Sequence, residues 1–149
     1  MSSTQQVEQI SKSSRIELEL RGLAAKNGGM LVPASVVEFA RDPSTALHSQ
    51  FTWDDTDAAE AWRLHEARNI IRVHVTVLHA DSEPVRVFTS LRSDRDSNAG
   101  YRLTVDVLSN DELRAQMLAD AKAELQATKR KYHNLQELTS VWDAIEQAS

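Results

Sequence analysis

The stretch HSQFTWDDTDAAEAWRLHEARNIIR, residues 48–72, sets two tryptophans and three aspartates beside the most regular helical pattern in the chain. It reads either as a cluster of carboxylates assembled for chemistry or as the start of a helix that organises a core. Cap geometry decides. Asp54 or Asp55 suits an N-cap, because a short carboxylate accepts hydrogen bonds from the first free backbone N–H groups. Asp57 and Glu60 then add negative charge at the positive end of the helix dipole, and Trp53 can staple back onto the first turns. Ala58, Ala59 and Trp62 form one face, and Leu64, Ala67 and Ile71 the adjoining one. An arc this wide places the helix at the centre of a core, with Trp62 expected to be largely buried.

Working outward, residues 1–14 are rich in Ser and Gln and read as a flexible tail. From Arg15, Ile16, Leu20, Leu23 and Ala24 recur at helical spacing until Asn27-Gly28-Gly29 supplies left-handed residues. A second helix follows with Pro33 near its first turn and Val36, Val37 and Ala40 inward, and Asp42-Pro43 ends it. After Arg72 the period becomes alternating in VHVTVLH (73–79), VRVFTSL (85–91) and YRLTVDV (101–107), which predicts a three-stranded antiparallel meander. Val73, Val75 and Val77 share one side of the first strand; Tyr101, Leu103, Val105 and Val107 share one side of the third. Ser109 with Glu112 is a capping-box signature. It opens a long apolar stripe to Ile145 that either bends near His133-Asn134 or leaves the body to meet a partner. The expected fold is α+β: N-terminal helices, a three-stranded antiparallel meander and a long C-terminal helix. The expected segments are a tail (1–14), a helical and β-meander core (15–110) and a C-terminal helical region (111–149), this last part of the same domain or an oligomerisation arm.

The composition narrows the function classes. At 149 residues, 41% hydrophobic and 26% charged, the chain is one ordinary domain. It has no cysteine, which excludes disulfides and thiolate metal sites. It has no leader-like or membrane-spanning apolar run, so a cytoplasmic address is expected. A net charge of −5 argues against coating nucleic acid by bulk electrostatics. Only residues 67–110, with 6 basic and 5 acidic side chains, could offer a basic face.

Catalytic and metal motifs fail on spacing. His65-Glu66 begins a zinc-protease pattern, but Asn69 stands where the second histidine must be. Asp94, Asp96 and Asn98 are spaced like the first ligands of a calcium loop. Ala99 and Val105, however, replace the glycine and glutamate that such a loop requires. Four glycines leave no phosphate-binding loop, and Lys129-Arg130-Lys131 reads as a solvated helix face. No catalytic residue, cofactor or metal is expected, and the chain is read as non-enzymatic.

The segments LVPASVVEFARDPSTALHSQFTWDDTDAAEAWRLHEARNIIR, YRLTVDVLSNDELRAQMLADAKAEL and RKYHNLQEL resemble a family of small hypothetical proteins from bacteriophages and prophages. The likeness spans roughly residues 20–146, and its most specific part is the W-D-D…A-A…R…A-R…I-R string. It implies a phage-related protein inside a bacterial host cell and transfers no functional residue. Two roles compete. In the first, an oligomeric accessory contacts DNA during replication, recombination, packaging or transcription. A helix-turn-helix-like unit among the first three helices would carry Arg63, Arg68 and Arg72, with Arg92, Arg95 and Arg102 on a second subunit contacting phosphates. In the second, the chain is a protein-binding adaptor or assembly factor, or an inhibitor of a host protein. Self-association, as a homodimer, is expected through Leu113, Met117, Leu118, Leu125, Tyr132, Leu135, Leu138 and Trp142.

Overall fold

In the computed structural model, which describes residues 3–54 and 58–149, the chain opens with one long helix, α1 (Ser3–Lys26). Ile16, Leu20 and Ala24, spaced by four, form its buried stripe. Residues 3–14, expected to be a flexible tail, continue the helix outward with every side chain exposed. No proline or glycine precedes Gly22, so a helix nucleated on the buried stripe propagates backward at little cost per residue. Gly28 and Gly29 stop it at φ +62° and +88°, and the Gly29 N–H donates to the Ala24 carbonyl at 2.8 Å.

Strand β1 (Met30–Leu31) leads into α2 (Pro33–Ala40), with Pro33 in the first turn and Val36, Val37 and Ala40 buried, as the spacing implies. The Asp42 carboxylate then takes both the N–H and the hydroxyl of Ser44, at 2.9 and 2.8 Å. A 3-10 turn at Leu47–Gln50 follows, its leading N–H groups held from a distance in sequence. The Glu19 carboxylate on α1 accepts from the N–H of Ala46 and of Leu47, at 2.8 and 2.9 Å.

Helix α3 (Ala59–Val73) buries Ala59, Arg63, Ala67 and Ile71, a strict i,i+4 stripe. That stripe overturns the expectation for Trp62, which is 54% exposed. One residue is about 100° of helix rotation, so a helix that turns Arg63 inward turns Trp62 aside. The cap also differs. The N-cap position is Ala58, with no side-chain hydrogen bond; Asp54 does not cap the helix, and Asp55 and Asp57 lie outside the described residues.

The β-patterned segments pair in sequence order, but in short pieces. Strand β2 (Val75–Thr76) pairs antiparallel with β3 (Val85–Arg86), and β4 (Phe88–Thr89) with β5 (Tyr101–Leu103). Val87 lies between β3 and β4: its N–H donates to the His74 carbonyl at 2.9 Å and its carbonyl accepts from the Thr104 N–H at 2.8 Å. The three-stranded sheet is therefore not the expected meander but β1-β5-β4, with β1 recruited from far upstream and β2-β3 a separate pair. Gly100 permits that recruitment. At φ +116°, a Cβ there would stand 2.5 Å from the Leu31 carbonyl oxygen.

Val75 and Val77 are more than half exposed, so of the two sides of the first segment the one carrying His74, Thr76 and Leu78 is turned inward. The third segment leaves the sheet at Thr104 and becomes helix α5 (Thr104–Ser109), carrying Val105 and Val107 with it. RSDRDSNAG, between the second and third β-patterned segments, begins with a short helix, α4 (Arg92–Asp96).

The chain divides into two compact units, Met1–Asp106 and Val107–Ser149. The first holds the core of Leu20, Leu31, Val36, Val37, Leu47, Ile71 and Phe88. The second is a helical hairpin of α6 (Asp111–Tyr132), a 3-10 turn at Gln136–Leu138 and α7 (Thr139–Ala148). Of the two possibilities for the C-terminal stripe, the break at His133-Asn134 is the one observed. The cap of α6 shifts by one residue: Asn110, not Ser109, accepts from the Leu113 N–H at 3.0 Å. Among the described residues no helix is long and apolar enough to cross a membrane.

The burial pattern orders the cost of two aromatic truncations. Phe88→Ala, at a site 1% exposed, should destabilise the protein by about 3–5 kcal/mol. Trp62→Ala should cost about 1 kcal/mol or less, as at exposed sites generally. Urea denaturation followed by far-UV circular dichroism measures both.

Candidate functional site

Trp53 gathers the segment that precedes α3. His48 stacks on it at 5.0 Å with an 11° interplanar angle, and Phe51 lies tilted at 5.6 Å. The guanidinium groups of Arg63 and Arg41 sit over the ring at 5.2 and 5.7 Å. The indole N–H donates to the His48 carbonyl at 2.9 Å. Arg63 is 6% exposed and fully committed: it donates to the carbonyls of Thr52 (3.1 Å) and Asp54 (2.8 Å) and to Glu60 (3.1 Å). Glu60 is shared with Arg41 at 3.1 Å. One turn on, the Glu66 carboxylate accepts from the N–H and hydroxyl of Thr52 and from the Trp62 indole. These donors are satisfied within the protein, so Trp53, Trp62 and Arg63 dock the segment before α3 onto its own chain.

The six arginines proposed for DNA separate by environment. Arg63 is buried structure, which removes it from any phosphate-contacting surface. Arg102 is held by the buried Asp94 carboxylate, Nη2 to Oδ1 at 2.8 Å and Nε to Oδ2 at 2.9 Å. That carboxylate also accepts from the Leu91 N–H at 3.2 Å, so it anchors α4 to the central strand of the sheet. The Asp94 hydrogen bond and charge hold the Arg102 pKa above its usual value. Arg95 is exposed but donates to the Ser90 carbonyl, and Arg92 forms a loose, exposed pair with Asp96 at 4.0 Å. Arg68 is half-buried and Arg72 exposed at the end of α3. The helix-turn-helix expectation fails because residues 41–58, with their own 3-10 turn, separate α2 from α3, whereas that motif needs a turn of three or four residues.

His48, His65 and His74 are similarly engaged. His48 Nδ1 faces the Ala40 carbonyl and His74 Nδ1 the Ile70 carbonyl, both at 2.8 Å; His65 Nε2 meets Asn69 at 3.0 Å. Among the described residues no group of three or more His, Asp or Glu could hold a metal. An open groove lies between the first half of α1 and residues 44–49, where Lys12 and Arg15 are offset by Glu8 and Glu19. That balance selects no charged ligand.

The hairpin divides the residues expected at an oligomer interface. Trp142 is buried at 7% exposure, together with Ile145 on the same face of α7, and Leu113 and Met117 are half-buried. Leu118, Leu125, Tyr132, Leu135 and Leu138 are exposed, with Leu118 the most open at 56%. Across the hairpin Lys129 Nζ meets Glu146 at 2.6 Å, and Gln126 donates to the Ser149 hydroxyl. The Lys129 hydrogen bond and charge hold the Glu146 carboxyl below its usual pKa.

Comparison with protein-family models, with curated proteins and with solved structures found no match.

Sequence reading missed three fold-making groups: Arg63, the Asp94–Arg102 clamp and Glu19. Only Arg63 left a signal, an arginine on the i,i+4 stripe of Ala59, Ala67 and Ile71.

Arg63→Ala strips three acceptors of a charged donor and should cost about 2–3 kcal/mol; Arg63→Lys should recover little of it, since an ammonium cannot reproduce the fork. The same change at exposed Arg72 should stay within about 0.5 kcal/mol, all three read from urea midpoints. Glu146 gives a pH dependence of defined sign. Its folded pKa is lowered, so its stabilisation is complete above the unfolded value of about 4.3 and disappears as pH falls through the folded one. The difference in midpoint between wild type and Glu146→Gln should be present at about pH 7 and close towards about pH 3.

Proposed function

We propose that the chain is a non-enzymatic accessory protein of bacteriophage type that acts as an oligomer through protein–protein contact, with the hairpin of residues 107–149 as its association surface. The observation that carries this reading is the exposed apolar side chains of that hairpin: Leu118, Leu125, Tyr132, Leu135, Leu138 and Val141 are each at least 36% exposed. Isolated exposed leucines are ordinary, but six such side chains on one small hairpin mark an interaction surface.

The DNA reading ranks second. It is supported by the exposed cations Arg72, Arg92 and Arg95 within residues 67–110. It is weakened because Arg63 and Arg102 are committed inside the fold.

Light scattering of wild type and Leu125→Glu decides between outcomes. Leu125 is 45% exposed, so the substitution should leave the circular dichroism spectrum unchanged while placing a charge in the contact. Wild type at tens of micromolar should be a homodimer and Leu125→Glu a monomer. A wild-type monomer, or a dimer indifferent to Leu125→Glu, overturns the reading. Gel shifts at two salt concentrations, with wild type and Arg92→Ala/Arg95→Ala, test the second. Binding whose log–log salt slope flattens by about 2 on that replacement, at about 0.9 per phosphate contact, supports it; no binding at low salt removes it.

A further inference from the structure

The exposed face of α6 has an order that the apolar count alone does not reveal. Leu118, Ala121, Leu125, Thr128 and Tyr132 are all exposed and alternate at spacings of three and four, the pattern of a coiled-coil seam. Along it large side chains occupy one heptad position and small ones the other. Thr128 is already prepared for burial, since its hydroxyl donates to the Glu124 carbonyl at 3.0 Å and requires no outside partner.

We infer that this seam is occupied by α6 of a second copy of the same chain running antiparallel, with the two-fold axis midway between Ala121 and Leu125. The inference rests on the association reading above and adds the surface and its orientation. Side-chain size is the first argument. In a parallel pair each heptad position meets its own kind, which sets alanine against alanine and threonine against threonine and leaves voids. In an antiparallel pair the two positions meet each other, so Leu118 fills the gap left by Thr128 and Leu125 the gap left by Ala121.

Charge is the second argument. The first turns of α6 carry Asp111 and Glu112, and its last carry Lys129, Arg130 and Lys131. Lys129 is engaged by Glu146 and Arg130, two residues before Tyr132, lies on the far side of the helix, so Lys131, its ammonium over the Tyr132 ring at 5.0 Å, is the cation beside the seam that meets an approaching acidic end. An antiparallel partner supplies one at each end and sets the helix dipoles head to tail. A parallel partner sets like charge beside like.

The chain has no cysteine of its own, so single introduced cysteines report orientation cleanly. In the antiparallel pair the two copies of position 118 lie about 15 Å apart along the axis, at roughly 1.5 Å per residue, while position 118 of one copy lies beside position 128 of the other. Leu118→Cys alone and Thr128→Cys alone should therefore give no dimer with a short bismaleimide, and their equilibrated mixture should give one containing both. Leu125→Cys alone should link to itself.

Linkage of Leu118→Cys to itself shows a parallel pair and overturns the inference, while leaving the association reading intact. A sedimenting dimer with no linkage in the mixture overturns it also, because the contact then lies elsewhere. A wild-type monomer overturns both. If Leu118→Cys or Thr128→Cys dissociates the dimer, Met117→Cys and Lys131→Cys, which share one edge of the seam, carry the same comparison with the same outcomes.

Discussion

A guanidinium removed from water has to find its acceptors in the protein, and Arg63 finds them in the backbone just ahead of its own helix. The carbonyls of Thr52 and Asp54 are groups that no regular element would satisfy. By taking both, Arg63 fixes the path by which the chain enters α3 and brings Trp53 beneath the charge. Trp53 in turn positions His48 and, through its N–H, the 3-10 turn. Glu19 grips the other end of that turn from α1. The first unit is thus tied together by polar groups reaching across the chain, while its apolar stripes supply bulk. A charge desolvated in this way adds little net stability but is costly to orphan, so its main effect is to define one arrangement.

The sequence is most legible where a single period governs. The stripe Ile16–Leu20–Ala24, the inner face of α2, Pro33 at a helix start and the break at His133-Asn134 all follow from local rules, as does the α+β class. It is least legible where a long-range partner overrides the local pattern. Trp62 is the large apolar residue of α3, yet the helix turns inward the arginine beside it, because burial there is set by two carbonyls that no periodicity displays. YRLTVDV alternates like one long strand, but β1 and Gly100 set where pairing begins, and α5 takes over at Thr104. Asp94 sits in a motif that resembles a cation loop and proves to be half of an ion pair. The site expectations fared similarly: local reasoning identified the basic and apolar side chains, and the fold decided which of them remain available.

In the second unit the apolar stripe that looked continuous from Leu113 to Ile145 consists of two stripes on different faces. Trp142 and Ile145 belong to the interior, and the Leu118–Leu125–Tyr132 row does not. Folding the chain back at Asn134 therefore leaves outward a seam with its own heptad spacing, which is where the proposed role and the proposed contact meet. An acidic chain that associates through a segregated row of apolar and charged groups can keep its net charge for solubility and still recognise one orientation of its partner.

Helix α1 has one geometry and two sources of order. From Ile16 onward it is held by the core; from Ser3 to Ser14 every side chain is exposed and its order comes mainly from the turns that follow it. Helix propagation is inexpensive where nucleation is not, so the outer turns inherit their structure from the inner ones and return nothing. Amide protons should accordingly exchange along a gradient within this single helix, fastest at the N-terminal turns and approaching the global rate near Leu20. Information along α1 runs one way: loosening Ile16 unwinds everything before it, whereas altering Val7 or Ile10 leaves the core unaware.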